Sequence, residues 1–196
     1  MTESLRALLV GATGPGDPLA AELRAELRRR DVVVGDGEGP AAVGRGGPTH
    51  LFVLRGEGDA LAELLAAARA LSPLPRLVLL SRLRPGSAAR AAEDAVRASG
   101  LPYTIARPGR LAFAGGGAVA RPVLRAVWAA AGAIGLARFA ARHRPIDARE
   151  LAYGLVHAAL NYTTIDRVVL AEELRWELAN DRPIHAPRSR RDELRH

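Results

Sequence analysis

Several groups of chemically able side chains each follow a short apolar run. Arg55 and Glu57 come after Leu51–Leu54, Ser81, Arg82 and Arg84 after Leu77–Leu80, and Arg107 to Arg110 after Tyr103–Ala106. Gly11, Thr13, Gly14 and Asp17 follow Leu8–Val10, and Asp36 follows Val32–Val34. If the runs are parallel strands, all these residues fall beyond the carboxyl ends, where open α/β sheets bind ligands. The set holds carboxylates for proton transfer, a hydroxyl for a substrate oxygen, and guanidinium groups that can hold an anionic or enolate oxygen. An arginine cannot act as a base near neutral pH, so Arg90 can neutralise a phosphate but not take a proton. The expected roles follow. Ser81 hydrogen-bonds the substrate oxygen, Arg55 or Arg84 stabilises developing negative charge, and Asp17, Glu57 or His143 moves the proton. Arg107, Gly109 and Leu111 contact the substrate. Plainer readings stand beside these: Ser81 closing a strand, Arg107 as a structural hydrogen-bonder, Asp147 as a helix cap, His143 on the surface, and His50 and His157 as structural histidines.

The turn Gly11-Ala12-Thr13-Gly14 has the spacing of a dinucleotide turn in its first two glycines, but Asp17 fills the third place. A helix N-terminus attracts anions through its free N–H groups and its dipole. A carboxylate there satisfies those donors and repels a pyrophosphate. Gly11, Thr13, Gly14 and Asp36 are thus cofactor-binding candidates of a turn that is either functional or vestigial, and the expected cofactor is none, or NAD(P) weakly bound. Asp36 reads either as a ribose ligand or as a turn aspartate within Gly35-Asp36-Gly37.

The chain has no lysine: all 28 residues counted as Lys or Arg are arginine. It has no cysteine, which excludes disulfides, thiolate metal sites and a cysteine nucleophile and fits a cytoplasmic setting. No His, Asp or Glu group has metal-ligand spacing, so no metal is expected, and no Gly-x-Ser-x-Gly elbow is present. The net charge of +7 is spread over scattered arginines, many beside glutamates, as in Glu22, Arg24, Glu26 and Arg28, with denser clusters at Arg28–Arg30 and Arg188–Arg195. That pattern, with only 4% aromatic residues for base stacking, argues against nucleic acid. The most apolar stretch, Ala126 to Ala137, is shorter than the roughly 20 residues of a membrane span. The expected partner is a small-molecule substrate, with room for a homodimer.

Positioning these groups requires alternating strands and helices, which implies an α/β, Rossmann-like, doubly wound parallel sheet of five to six strands with a helical C-terminal cap. Asp17-Pro18 starts a helix to Arg30 with Leu19, Leu23 and Leu27 on one face. Further helices are expected over Asp59–Leu71, Ser87–Ser99, Ala148–Asn161 and Glu172–Leu178, and a last strand over Val168–Leu170. Residues 35–48 hold six glycines and two prolines and predict an irregular loop. Residues 1–112 form the core, and 113–179 a helical portion of the same domain. Within it, Val119–Ala141 roofs the site. Residues 180–196 form a basic, flexible tail.

Leu9-Val10-Gly11-Ala12-Thr13-Gly14, Val78-Leu79-Leu80-Ser81, Glu93 with Ser99 to Gly109, and Pro145 to Ala152 resemble the atypical short-chain dehydrogenases. The nearest are the NmrA-like and Tat-interacting-protein-like NAD(P)-binding group. The resemblance spans most of residues 6–178, and Arg107-Pro108-Gly109 is its most specific part. It implies a Rossmann fold and a Tyr-x-x-x-Lys pair, yet Ala89 stands in the lysine's place and Pro85 in the tyrosine's. The expected function is therefore a non-redox step (isomerisation, cyclisation, dehydration or epimerisation) on a small organic molecule, as in secondary metabolism. An NAD(P)H-dependent reductase and a non-catalytic nucleotide-sensing regulator are the alternatives.

Overall fold

The computed structural model describes residues 4–11, 16–56, 58–82, 85–109, 111 and 145–179. Over these, β1 (Arg6–Val10), α1 (Pro18–Arg29), β2 (Val33–Gly37), α2 (Pro40–Gly46), β3 (His50–Val53), α3 (Gly58–Arg69), β4 (Arg76–Leu80), α4 (Ser87–Ala98) and β5 (Tyr103–Arg107) alternate along the chain. Then come α5 (Ala148–Leu160), a 3-10 turn (Tyr162–Thr164), β6 (Arg167–Leu170) and α6 (Ala171–Ala179). The six strands form one parallel sheet in the order β2-β1-β3-β4-β5-β6. This is the expected α/β, Rossmann-like, doubly wound sheet. The expected roof over 119–141 and the tail from 180 lie outside the described residues.

Alternation along each strand divides the core in two. Leu9, Phe52, Val78, Ala106 and Val169 face α1, α5 and α6. Leu8, Val10, Leu51, Val53, Leu77, Leu79 and Ile105 face α2, α3 and α4. Burial on both sides is what near-continuous runs such as Leu77–Leu80 record in the sequence. The steps β3 to β4 and β4 to β5 carry their helices on the second face. The step β5 to β6 moves the same way across the sheet but carries α5 on the first face. Its hand is therefore opposite to theirs, an exception to the usual rule for parallel crossovers.

The irregular loop expected over 35–48 is corrected. Strand β2 runs on through Gly35, Asp36 and Gly37, paired with Leu8, Leu9 and Val10. A helix, α2, then begins at Pro40, with Gly47 closing it in the left-handed conformation at φ 47°. The topology explains both features. β2 and β3 flank β1 on opposite sides, so their connection must cross one face of the sheet, and buried Ala42 and Val43 cover that face. Asp36 is thus a strand residue, not a turn residue.

Candidate functional site

β1 pairs with β2 on one side and β3 on the other, so the direction of winding reverses at β1. The crevice beyond the carboxyl ends of β1 and β3 is where ligands bind in such sheets. Gly11 closes β1 there with φ 78°, and a Cβ at Gly11 would lie 2.4 Å from the backbone oxygen of Arg55. Only glycine permits that approach, so Gly11 is required by the packing of β1 against the end of β3 whatever the turn binds. Arg55 sits over this contact with its side chain exposed and makes no hydrogen bond or ion pair among the described residues.

Asp17 caps α1 as its place before Pro18 predicts. Its Oδ1 accepts from the backbone N–H groups of Leu19 at 3.0 Å and Ala20 at 3.3 Å. The N-terminus of α1 therefore already holds an anion and has two of its free donors engaged. Asp36 is engaged by Arg24 of α1, whose Nε donates at 2.9 and 3.0 Å. The described residues fit a bound dinucleotide poorly on both counts, since pyrophosphate and ribose would each meet a group already satisfied within the protein.

The next two strand ends are joined through a residue that sequence reading used only as a landmark. Glu93, on the inner face of α4 beside Ala92 and Val96, is 1% exposed. It accepts from Ser81 Oγ at 2.6 Å, from Arg107 Nε at 2.9 Å with a second bond from the same guanidinium, and from Arg97 at 3.0 Å. Burial alone would raise the Glu93 pKa. The hydrogen bonds from Arg107 and Ser81, the charge of Arg107 and the bond from Arg97 outweigh it and hold the carboxyl below its ordinary range. Arg107 is raised in turn by its bond to Glu93. Glu93 is thus a fixed anion rather than a proton carrier. The Ser81 proton points at Glu93, so Ser81 offers a substrate its lone pairs. A carboxylate on the apolar stripe of α4 was the available signal, because a buried charge requires a partner.

Val53 pairs with Leu79, so Arg55 and Ser81, each two residues on, end neighbouring strands. Gly109 follows β5 with φ 81°, and Leu111 forms a single parallel bridge with buried Ile146 while packing against the first core cluster. Asp147 caps α5 by accepting from Glu150 N–H at 2.8 Å. Thr13, Gly14, Glu57, Arg84 and His143 lie outside the described residues. Among the described residues no group of three or more His, Cys, Asp or Glu could hold a metal ion, and no helix is long and apolar enough to cross a membrane.

Sequence reading also missed a buried cation at the opposite, amino edge of the sheet. Arg76 opens β4 at 7% exposure. It donates to Thr104 Oγ1 at 3.1 Å, to the Ala158 carbonyl at 2.9 Å and to Thr164 Oγ1 at 2.6 Å. No carboxylate pairs with it among the described residues, and its Nε has no partner. Burial lowers its pKa, with Tyr162 and Asp166 opposing. Burial, aided by the charge of Arg76, also lowers His50 to about 4, against a backbone hydrogen bond at Ala159.

No family model and no curated protein matches the chain. Among solved structures it is similar to ChuY, an anaerobilin reductase from Escherichia coli O157:H7, at 16% identity over 84% of this chain and 95% of that one, with a TM-score of 0.49. It is also similar to CapF, solved with the inhibitor 3-isopropenyl-tropolone, at 17% identity and a TM-score of 0.44. That match covers 55% of this chain, which spans about a third (32%) of CapF. At these values neither neighbour bears on what this chain binds, and its own strand order and winding establish the Rossmann-like class.

Proposed function

We propose that the chain is an enzyme carrying out a non-redox step, such as an isomerisation, cyclisation, dehydration or epimerisation, on a small organic molecule held at the carboxyl edge of the sheet. One observation carries this reading. A short-chain-dehydrogenase-like fold normally transfers hydride with a tyrosine and lysine at that edge. This chain has no lysine, and none of its three tyrosines ends a strand there. Tyr103 opens β5 at the amino edge, exposed Tyr162 precedes β6, and Tyr153 meets Arg30, whose guanidinium carbon lies 5.2 Å from the ring centroid. The capped α1 supports the companion proposal that NAD(P) binding is weak or absent.

In this scheme Arg55 is the electrophile, an always-charged donor beside the crevice, with Arg84 as its alternative. Ser81, aimed by Glu93, accepts a hydrogen bond from a substrate hydroxyl or enol. Arg107, held by the same carboxylate, flanks the substrate with Gly109 and Leu111. Asp17 is a candidate to move the proton, as are Glu57 and His143. Arg55→Met should slow turnover about 10²-fold, the scale for losing a transition-state donor, and Ser81→Ala should slow it by removing the acceptor that holds the substrate hydroxyl, with circular dichroism unchanged in both. The assay uses the native substrate, sought by screening small carbonyl and hydroxyl compounds without added nicotinamide. A requirement for NAD(P)H would overturn the non-redox reading, and full activity in both variants would move the site elsewhere.

A further inference from the structure

A cavity of about 390 Å³ lies on the sheet face opposite Ser81 and Glu93, between α5, β6 and α6. Gly154, Ala158, Val169 and Leu174 give it an apolar floor, and Thr163, Thr164, Arg167, Glu172 and Glu173 contribute its polar groups. Most of those polar groups are already satisfied. Thr164 Oγ1 donates to the Ala158 carbonyl at 2.6 Å and accepts from Arg76. Thr163 Oγ1 donates to Asn161 Oδ1 at 2.9 Å. Glu173 accepts from the Leu170 N–H at 3.0 Å and faces Arg167 at 3.6 Å, so these two charges offset each other. His157 is buried and stacks on Tyr153. Glu172 alone of the lining carboxylates is exposed without any hydrogen bond or ion pair among the described residues. An apolar floor with one unanswered negative charge fits a ligand with an apolar body and a cationic head.

We propose that this cavity binds a small amphipathic amine, its ammonium on Glu172 and its apolar body against Gly154, Ala158, Val169 and Leu174. The site is separate from the one proposed at the carboxyl edge, so either can fail alone. The test is titration of the full chain with benzylammonium, benzyl alcohol, benzoate and methylammonium, followed by amide chemical shifts. Benzylammonium should bind saturably at the cavity residues, about 5-fold or more tighter than benzyl alcohol or methylammonium, and benzoate more weakly still. Glu172→Gln, a change at an exposed position, should abolish the preference over benzyl alcohol while leaving the spectrum folded. Equal binding of the charged and neutral probes, shifts confined to other regions, absence of saturation, or a preference that survives Glu172→Gln would each overturn the proposal.

Discussion

Glu93 and His50 show how a single titratable group can carry part of the fold. Glu93→Gln removes the charge that answers Arg107 and Arg97 and leaves them facing a neutral amide in a buried place. A loss of about 3 kcal/mol is expected, the scale for breaking a buried pair from one side, read from urea unfolding at neutral pH. A loss below about 0.5 kcal/mol would rank the network with ordinary surface pairs. His50 acts through protonation. Its folded pKa is about 4 against the ordinary 6.5, so between those values the unfolded chain binds a proton that the folded chain refuses. Its contribution is complete above pH 6.5 and is lost on acidification toward pH 4. His50→Asn should narrow the difference in stability between pH 7 and pH 4.5, and an unchanged difference would dismiss His50 as its source. The sequence offered Glu93 only as a landmark and His50 only as a structural histidine, because what each does depends on partners brought close only by the fold. Arg107 is distant from Glu93 in sequence, and Arg76 reaches His50 from the neighbouring strand.

At the scale of elements, α1 was the most legible, because its start, its buried stripe and its cap are all written within adjacent turns. The same legibility exposes the conflict between capping and anion binding. Asp17→Gly should cost only a few tenths of a kcal/mol of cap stability and free the Leu19 and Ala20 N–H groups. NADPH should then bind about tenfold more tightly than to the native chain, measured by calorimetry. Native protein that retains NADPH through purification, or a variant that binds no better, would remove Asp17 as the obstacle. α2 was the least legible element. Gly39, Gly44, Gly46 and Gly47 in and around it erase any apolar period, and only the need to cross from β2 to β3 reveals the helix. Gly154 marks a further contact without sequence periodicity: a Cβ there would meet the Leu174 carbonyl oxygen at 2.7 Å, so α5 and α6 approach through a missing side chain.

For the whole molecule, alternating apolar runs were sufficient to foresee a parallel sheet and its ligand edge. They could not foresee that the last crossover changes hand, which follows from α5 packing on α1 rather than beside α4. That reversal leaves α4 to organise the Ser81 and Arg107 strand ends. It also leaves the chain between Leu111 and Ile146 bracketed by one parallel bridge. Two points held that close make the ends of this stretch neighbours, so a short connection can span them. Residues 113–144 should therefore behave as an exchangeable cassette. Replacing them with a short Gly-Ser linker should leave a cooperatively unfolding sheet with native amide shifts in β1 to β6, and should abolish turnover. Collapse of those shifts would show that the framework depends on its insert. Retention would mean that the six-stranded framework carries its own fold, so that a different stretch of chain can be set on the same two ends.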